Sequence, residues 1–126
     1  MSNPANLMYA KSHEWVEFTS ETTARVGLTD FAQNLLGGMV FINLPEVGDP
    51  LTKEERLGEV ESVKAVSDIF SPLSGTVEAI NEDLLDSPER INEAPYDSWL
   101  VSVSDITDRE ELMDAAAYEA FCEASK

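Results

Sequence analysis

Leu57-Gly58-Glu59-Val60-Glu61-Ser62-Val63-Lys64-Ala65-Val66-Ser67-Asp68-Ile69-Phe70 reads as two strands either side of a centre at Val63-Lys64. Folded about a two-residue turn there, Ser62 faces Ala65, Val60 faces Ser67 and Gly58 faces Ile69 on one side of an antiparallel ribbon. That side is small and apolar and suits a core. The other side collects Glu59 with Asp68 and Glu61 with Val66, so it is mostly polar. Lys64 then stands at the exposed tip. Val63 and Lys64 are poor residues for the tight hairpin turns that need positive φ, which favour Asn-Gly or Asp-Gly, and a type I turn is expected instead. Local preference has yielded to another requirement. Presenting one lysine, held clear of the body between small neighbours, to a modifying enzyme is such a requirement; an ordinary solvated turn lysine is the competing reading.

Upstream, residues 14–19 and 23–28 have β-rich, roughly alternating composition and read as strands joined by a hairpin. Thr29 or Asp30 then caps a short helix near 30–36, stopped at Gly37-Gly38, before a strand over residues 39–44. Pro45, Gly48 and Pro50 punctuate a loop ahead of the hairpin, which spans about 57–70. Downstream, Pro72-Leu73-Ser74-Gly75 reads as a turn into a strand over 76–80, residues 83–95 look irregular, and residues 99–103 offer one more strand. Thr107-Asp108-Arg109-Glu110 has the form of a capping box. Leu112, Met113, Ala116, Ala117, Phe121 and Cys122 follow at near-helical spacing, predicting a C-terminal helical segment over about 107–124. The fold class is mostly β, a barrel or sandwich of short strands, in a single domain over 1–126.

The charge is lopsided: 25 Asp plus Glu against 8 Lys plus Arg give a formal net charge of -17. Such a field repels phosphate backbones, and no nucleic-acid partner is expected. It serves solubility, a saline habitat or steering toward basic partners, and these readings are compatible. Only Lys11, Lys53, Lys64 and Lys126 are lysines, and only Lys64 sits in mid-chain among small and apolar residues. No apolar run approaches the roughly 20 residues of a membrane helix, and the opening Met1-Ser2-Asn3-Pro4-Ala5-Asn6 lacks a basic region and an apolar signal core. A cytoplasmic protein with no membrane partner is expected. Cys122 is the lone cysteine, and no Cys/His cluster has metal-ligand spacing, so no metal is expected.

Glu61-Ser62-Val63-Lys64-Ala65, Ser67-Asp68-Ile69-Phe70-Ser71-Pro72 and Ser74-Gly75 together resemble the lipoylation segment of glycine cleavage H proteins. The likeness extends upstream through Ser12-His13-Glu14-Trp15-Val16, Val26-Gly27-Leu28-Thr29-Asp30, Ala32-Gln33, Leu36-Gly37 and residues 40–45. Downstream it takes in Ile91-Asn92, Pro95-Tyr96 and Trp99-Leu100, so nearly the whole chain is covered. Gly38 departs from the family pattern, where an acidic residue is usual, and Ser102 and Ser104 stand where lysines are common.

The resemblance implies a flattened hybrid barrel of two antiparallel sheets, like lipoyl and biotinyl carriers, with lipoate in amide linkage to Lys64. It implies a non-catalytic shuttle that takes an aminomethyl group from a pyridoxal-phosphate glycine decarboxylase to a tetrahydrofolate-dependent aminomethyltransferase. The dithiol then goes to an FAD-dependent dihydrolipoamide dehydrogenase, a lipoate ligase or lipoyltransferase having installed the group. The bond-breaking chemistry belongs to those partners and the cofactor, and no catalytic residue is assigned. Lysine stem, amide and lipoyl chain span roughly 14 Å if extended. A thioaminal is exposed to hydrolysis, so a partly dry cleft with a carboxylate for the ammonium is expected. Glu14 and Asp68 are the candidate carboxylates, Ser12 an additional polar contact, Leu28 and Leu35 the apolar walls; His13 and Trp15 are read as packing residues. The alternatives are a lipoyl domain of another multienzyme complex, which typically shows Asp-Lys-Ala, or an H-like lipoyl donor.

Overall fold

The computed structural model describes residues 3–124. Met1, Ser2, Ser125 and Lys126 lie outside the described residues. Short β-branched and aromatic runs cut by turn residues build two antiparallel sheets. The larger has the order β1 (Met8–Tyr9), β2 (Glu14–Phe18), β3 (Ala24–Leu28), β9 (Val101–Arg109), β8 (Leu73–Ile80), β5 (Pro50–Leu51). The smaller has the order β4 (Met39–Asn43), β6 (Arg56–Ser62), β7 (Val66–Phe70). Inward residues of both, including Val16, Val26, Val77, Val101 and Val103 from one and Ile42, Val60 and Ile69 from the other, form one buried cluster. Two sheets burying their apolar faces against each other is the sandwich the pattern predicts.

β2 pairs β3 from Glu14↔Leu28 to Phe18↔Ala24, the expected hairpin. α1 (Asp30–Leu36) starts where Thr29 Oγ1 accepts from Ala32 N at 3.2 Å and ends at Gly37, whose φ of 81° only glycine adopts freely. Residues 73–75 differ from the expected turn. They belong to β8, because Leu73 pairs with Arg109 and Ser74 with Asp108 in a long ladder that bulges at Gly75. The stretch expected to be irregular contains two single-turn helices, α2 (Asp83–Asp86) and α3 (Arg90–Glu93).

The capping-box reading at Thr107 is corrected. Residues 107–109 end β9, and Asp108 is drawn to Lys53 Nζ at 3.0 Å. The ladder with β8 at Ser74 and Leu73 outcompetes a local helix signal. The last helix, α4 (Ala115–Ala124), begins later, with Asp114 Oδ1 accepting from Ala117 N at 2.8 Å. Its buried face is Tyr118 and Cys122, which close a second cluster with Leu7, Tyr9 and Trp15. Among the described residues no helix is long and apolar enough to cross a membrane.

Two glycines of the smaller sheet have opposite surroundings. A Cβ on Gly58 would stand 2.3 Å from the Asn43 carbonyl oxygen, whereas on Gly38 it would meet only a Val63 methyl at 3.8 Å. Gly58→Ala is expected to cost about 2 to 3 kcal/mol by forcing β4 and β6 apart, and Gly38→Ala well under about 1 kcal/mol. Urea denaturation of both variants checks this; equal midpoints would refute it.

Candidate functional site

Ser62 shapes the tip of the β6–β7 hairpin. Its N–H donates to Ala65 O at 2.8 Å, and its Oγ accepts from the N–H groups of Lys64 (3.1 Å) and Ala65 (3.2 Å). The hydroxyl thus replaces a backbone acceptor inside the turn, which is why non-glycine residues suffice there. Neither Val63 nor Lys64 has positive φ. The ladder runs Glu61↔Val66, Val60↔Ser67, Glu59↔Asp68, Gly58↔Ile69, the register expected from the residues alone. Val63 N–H donates to Gly38 O at 2.9 Å, tying the tip to the segment after α1. Lys64 is exposed, and its stem leans back over Gly37, Cε lying 3.6 Å from where a Cβ would stand.

Behind the tip lies a cleft of about 110 Å³, lined by Ser12, His13, Glu14, Leu28, Ala32, Leu35, Leu36, Val60, Ser67, Asp68 and Ile69. All five of the expected cleft residues line it: Ser12, Glu14, Leu28, Leu35 and Asp68. Lys64 stands outside, four residues past Val60. At the rise of an extended strand that is at most about 13 Å, comparable with the extended arm that the resemblance implies. The lining is apolar on the α1 side and polar on the β2 and β7 side. This suits a small headgroup that is apolar except for one cation.

The two carboxyl candidates are unequal. Glu14 is buried, and burial pushes its carboxyl up to about 8, against hydrogen bonds from the Ser12 hydroxyl and the Phe70 N–H that favour the charged form. Glu110 adds to the upward shift. Asp68 is exposed and already compensated, accepting from Arg56 Nε at 2.9 Å, while Arg56 also pairs with Glu59 at 3.1 Å. Glu14 is therefore the group whose charge the cleft controls.

Several site residues escaped the sequence reading. Ser67, Val60 and Ile69 were legible from the register, since they occupy the inner face of the hairpin. Asn92 was not. From α3 its amide donates to Gln33 Oε1 and to Gly37 O, both at 2.9 Å, and its Oδ1 accepts from Met39 N at 2.8 Å. It thereby pins the end of α1, the apolar wall, to the start of β4. Only its place in the family pattern singled it out, because the bonds join distant parts of the chain. His13 packs as expected, its ring 4.6 Å from that of Phe31, and Trp15 Nε1 donates to Pro95 O at 3.0 Å.

Comparison with known proteins agrees with this geometry. The family profile described as glycine cleavage H-protein matches residues 7–125. A glycine cleavage system H protein of Lachnoclostridium phytofermentans is 54% identical over 116 residues, 92% of this chain and 91% of that one. Another, from Acidobacterium capsulatum, is 50% identical over 123 residues, 96% and 95% of the two chains. The crystal structure of a glycine cleavage system H protein from Mycobacterium marinum superposes with a TM-score of 0.89 at 39% identity, covering 94% of this chain and 97% of that one. With fold, hairpin and whole-length similarity in accord, the chain belongs to the glycine cleavage H-protein family, lipoyl carriers of glycine catabolism.

Proposed function

We propose that this protein is a cytoplasmic shuttle carrying lipoate in amide linkage to Lys64. It takes an aminomethyl group from a pyridoxal-phosphate glycine decarboxylase to a tetrahydrofolate-dependent aminomethyltransferase, then presents the dithiol to a flavin-dependent dihydrolipoamide dehydrogenase. A lipoate ligase or lipoyltransferase would install the group. The observation that carries the reading is the pairing of one exposed lysine at a strapped turn with a small cleft one arm's length back along the same hairpin. When bound, the lipoyl group would supply a dithiolane, one sulfur of which accepts carbon as the ring S–S bond opens, and whose later dithiol form can be reoxidised to the ring.

The chain's own part is attachment, reach and shelter. Lys64 Nζ provides the amide nitrogen, and the Gly37 backbone leaves room for the stem to fold toward α1. Leu28 and Leu36 give one side of the cleft its apolar lining, with the exposed Leu35 at its rim. Glu14 works differently from a standing carboxylate: raised to about 8, it is mostly neutral in the empty cleft at pH 7. An ammonium within a few ångströms would favour its charged form, the carboxyl releasing its proton to solvent and accepting a charge-assisted hydrogen bond from the cation. The Ser12 hydroxyl, donating to Glu14 Oε1, orients the group in either state. Asp68, held by Arg56, contributes a second, weaker contact.

Lys64→Arg is expected to abolish lipoylation and carrier activity with no loss of stability, because a guanidinium keeps charge and exposure but forms no such amide. Mass spectrometry of the peptide containing residue 64, together with glycine-dependent carbon dioxide exchange by the decarboxylase, checks it. Exchange by the arginine variant, or lipoate on Lys11 or Lys53, would sink the assignment.

Glu14 also predicts a pH dependence. Its carboxyl takes up a proton more readily folded (about 8) than at its ordinary value of 4.5, so its contribution to stability is complete below 4.5 and is lost as pH rises through about 8. Across that window wild type should lose up to about 1.4 kcal/mol per pH unit relative to Glu14→Gln, which cannot ionise. Chemical denaturation of both proteins from pH 4.5 to 8.5 measures the gap. Parallel stability curves would mean that Glu14 ionises as freely in the folded chain as in the unfolded one.

A further inference from the structure

We infer that the Tyr118 hydroxyl is a positioning group of the cleft, tying the turn at Ser12-His13 and the start of β2 at Glu14 to the first turn of α1, so that the C-terminal helix sets the spacing between the polar and apolar walls. The inference rests on the cleft reading above. Tyr118 does not line the cleft, so it acts through its neighbours and is not itself a catalytic residue.

The geometry is specific. Tyr118 is fully buried on α4, and its ring stacks on Tyr9 with centroids 4.7 Å apart at 10°. Its hydroxyl lies 2.7 Å from His13 Nδ1 and 2.7 Å from Thr29 Oγ1. His13 sits between Ser12 and Glu14, and Thr29 is the N-cap of α1, the helix that supplies Ala32, Leu35 and Leu36 to the opposite wall. One oxygen therefore bridges the two sides. The backbone adds a parallel tie, Thr29 N–H donating to His13 O at 3.1 Å. His13 is held at φ 71°, a conformation that non-glycine residues adopt only where their surroundings over-determine it. The rings of Phe31, Tyr118 and Phe121 supply those surroundings.

The protons have a consistent assignment. Thr29 Oγ1 already accepts from Ala32 N, so its hydrogen is free to go to the Tyr118 oxygen. With the neutral ring protonated at Nε2, the Tyr118 hydrogen goes to His13 Nδ1, and the Cys122 thiol is also in hydrogen-bond contact with the hydroxyl. Burial lowers the His13 imidazole below its ordinary value and keeps it neutral, in line with that assignment. A helix that merely covered the barrel would need none of this directionality.

The test uses the full chain without lipoate, so that its outcome is separate from the Lys64 assignment. Tyr118→Phe keeps the ring and its stacking and removes only the hydroxyl. Carbon-13 NMR titration of the Glu14 carboxyl should then show its midpoint falling by about one pH unit or more as the cleft admits water. Nitrogen-15 shifts of His13 should change from a single Nε2-protonated tautomer to a mixture. On lipoylated, loaded protein without the transferase, formaldehyde and ammonia should be released several-fold faster. A folded Y118F with unchanged Glu14 titration overturns the inference and leaves carriage by Lys64 untouched. Should that variant not fold, Thr29→Ser against Thr29→Ala decides: the serine must titrate Glu14 as wild type does and the alanine must lower it, and identical titrations overturn the inference.

Discussion

The register of the β6–β7 hairpin is the constraint on which the rest depends. Side chains alternate with period two along a strand, so a slip of one residue would turn Val60 and Ile69 out of the core and bring Glu59 and Glu61 into it. The same slip would move Lys64 off the tip. Three features hold the register. Ser62 fills the turn with its own hydroxyl, Val63 is bonded to Gly38, and Gly58 lets the Asn43 carbonyl approach where no side chain could fit. Each is weak singly. Together with the buried inner face they leave one pairing that satisfies both core and backbone.

The cleft exists because two elements of very different kind meet across that hairpin. One is a helix of only seven residues, too short to stand alone in water, secured at its start by Thr29 and at its end by Asn92. The other is the beginning of β2, where a left-handed His13 turns the chain so that Glu14 is buried behind an exposed Ser12 at the cleft's edge. Since neither wall is locally stable, both are held by distant residues. Asn92 and Tyr118 lie far downstream in the chain and bond into residues 13–39.

Electrostatics follows from burial more than from composition. In a chain with 25 acidic residues, most carboxylates sit in water and do little beyond keeping the molecule soluble. Glu14 differs only in its surroundings. Desolvation raises its carboxyl to about 8, well above the ordinary carboxylate range. Asp68 is exposed like most of the others and is paired with Arg56, which it shares with Glu59.

Much of this was legible in the residues. Turn signals and alternation located the β2–β3 and β6–β7 hairpins, the hairpin's two faces followed from its centre, and Thr29 with Gly37-Gly38 bounded α1, because these are short-range effects written into neighbouring residues. The hairpin reading placed Lys64 at the tip, and Ser12, Glu14, Leu28, Leu35 and Asp68 lie around one cavity. Where pairing partners were distant, local reading failed: Thr107-Asp108-Arg109 looks like a helix start but completes a ladder with Leu73 and Ser74, and residues 73–75 look like a turn for the same reason. Nor could the sequence show that Tyr118, on a helix otherwise read as cover, reaches both His13 and Thr29. By itself the sequence determined the elements and the lysine at the tip, since periodicity and turn chemistry act between near neighbours. The tertiary structure alone decided which carboxyl is dry, which is paired and what holds the walls of the cleft, because desolvation and long-range hydrogen bonds depend on residues that only folding brings together.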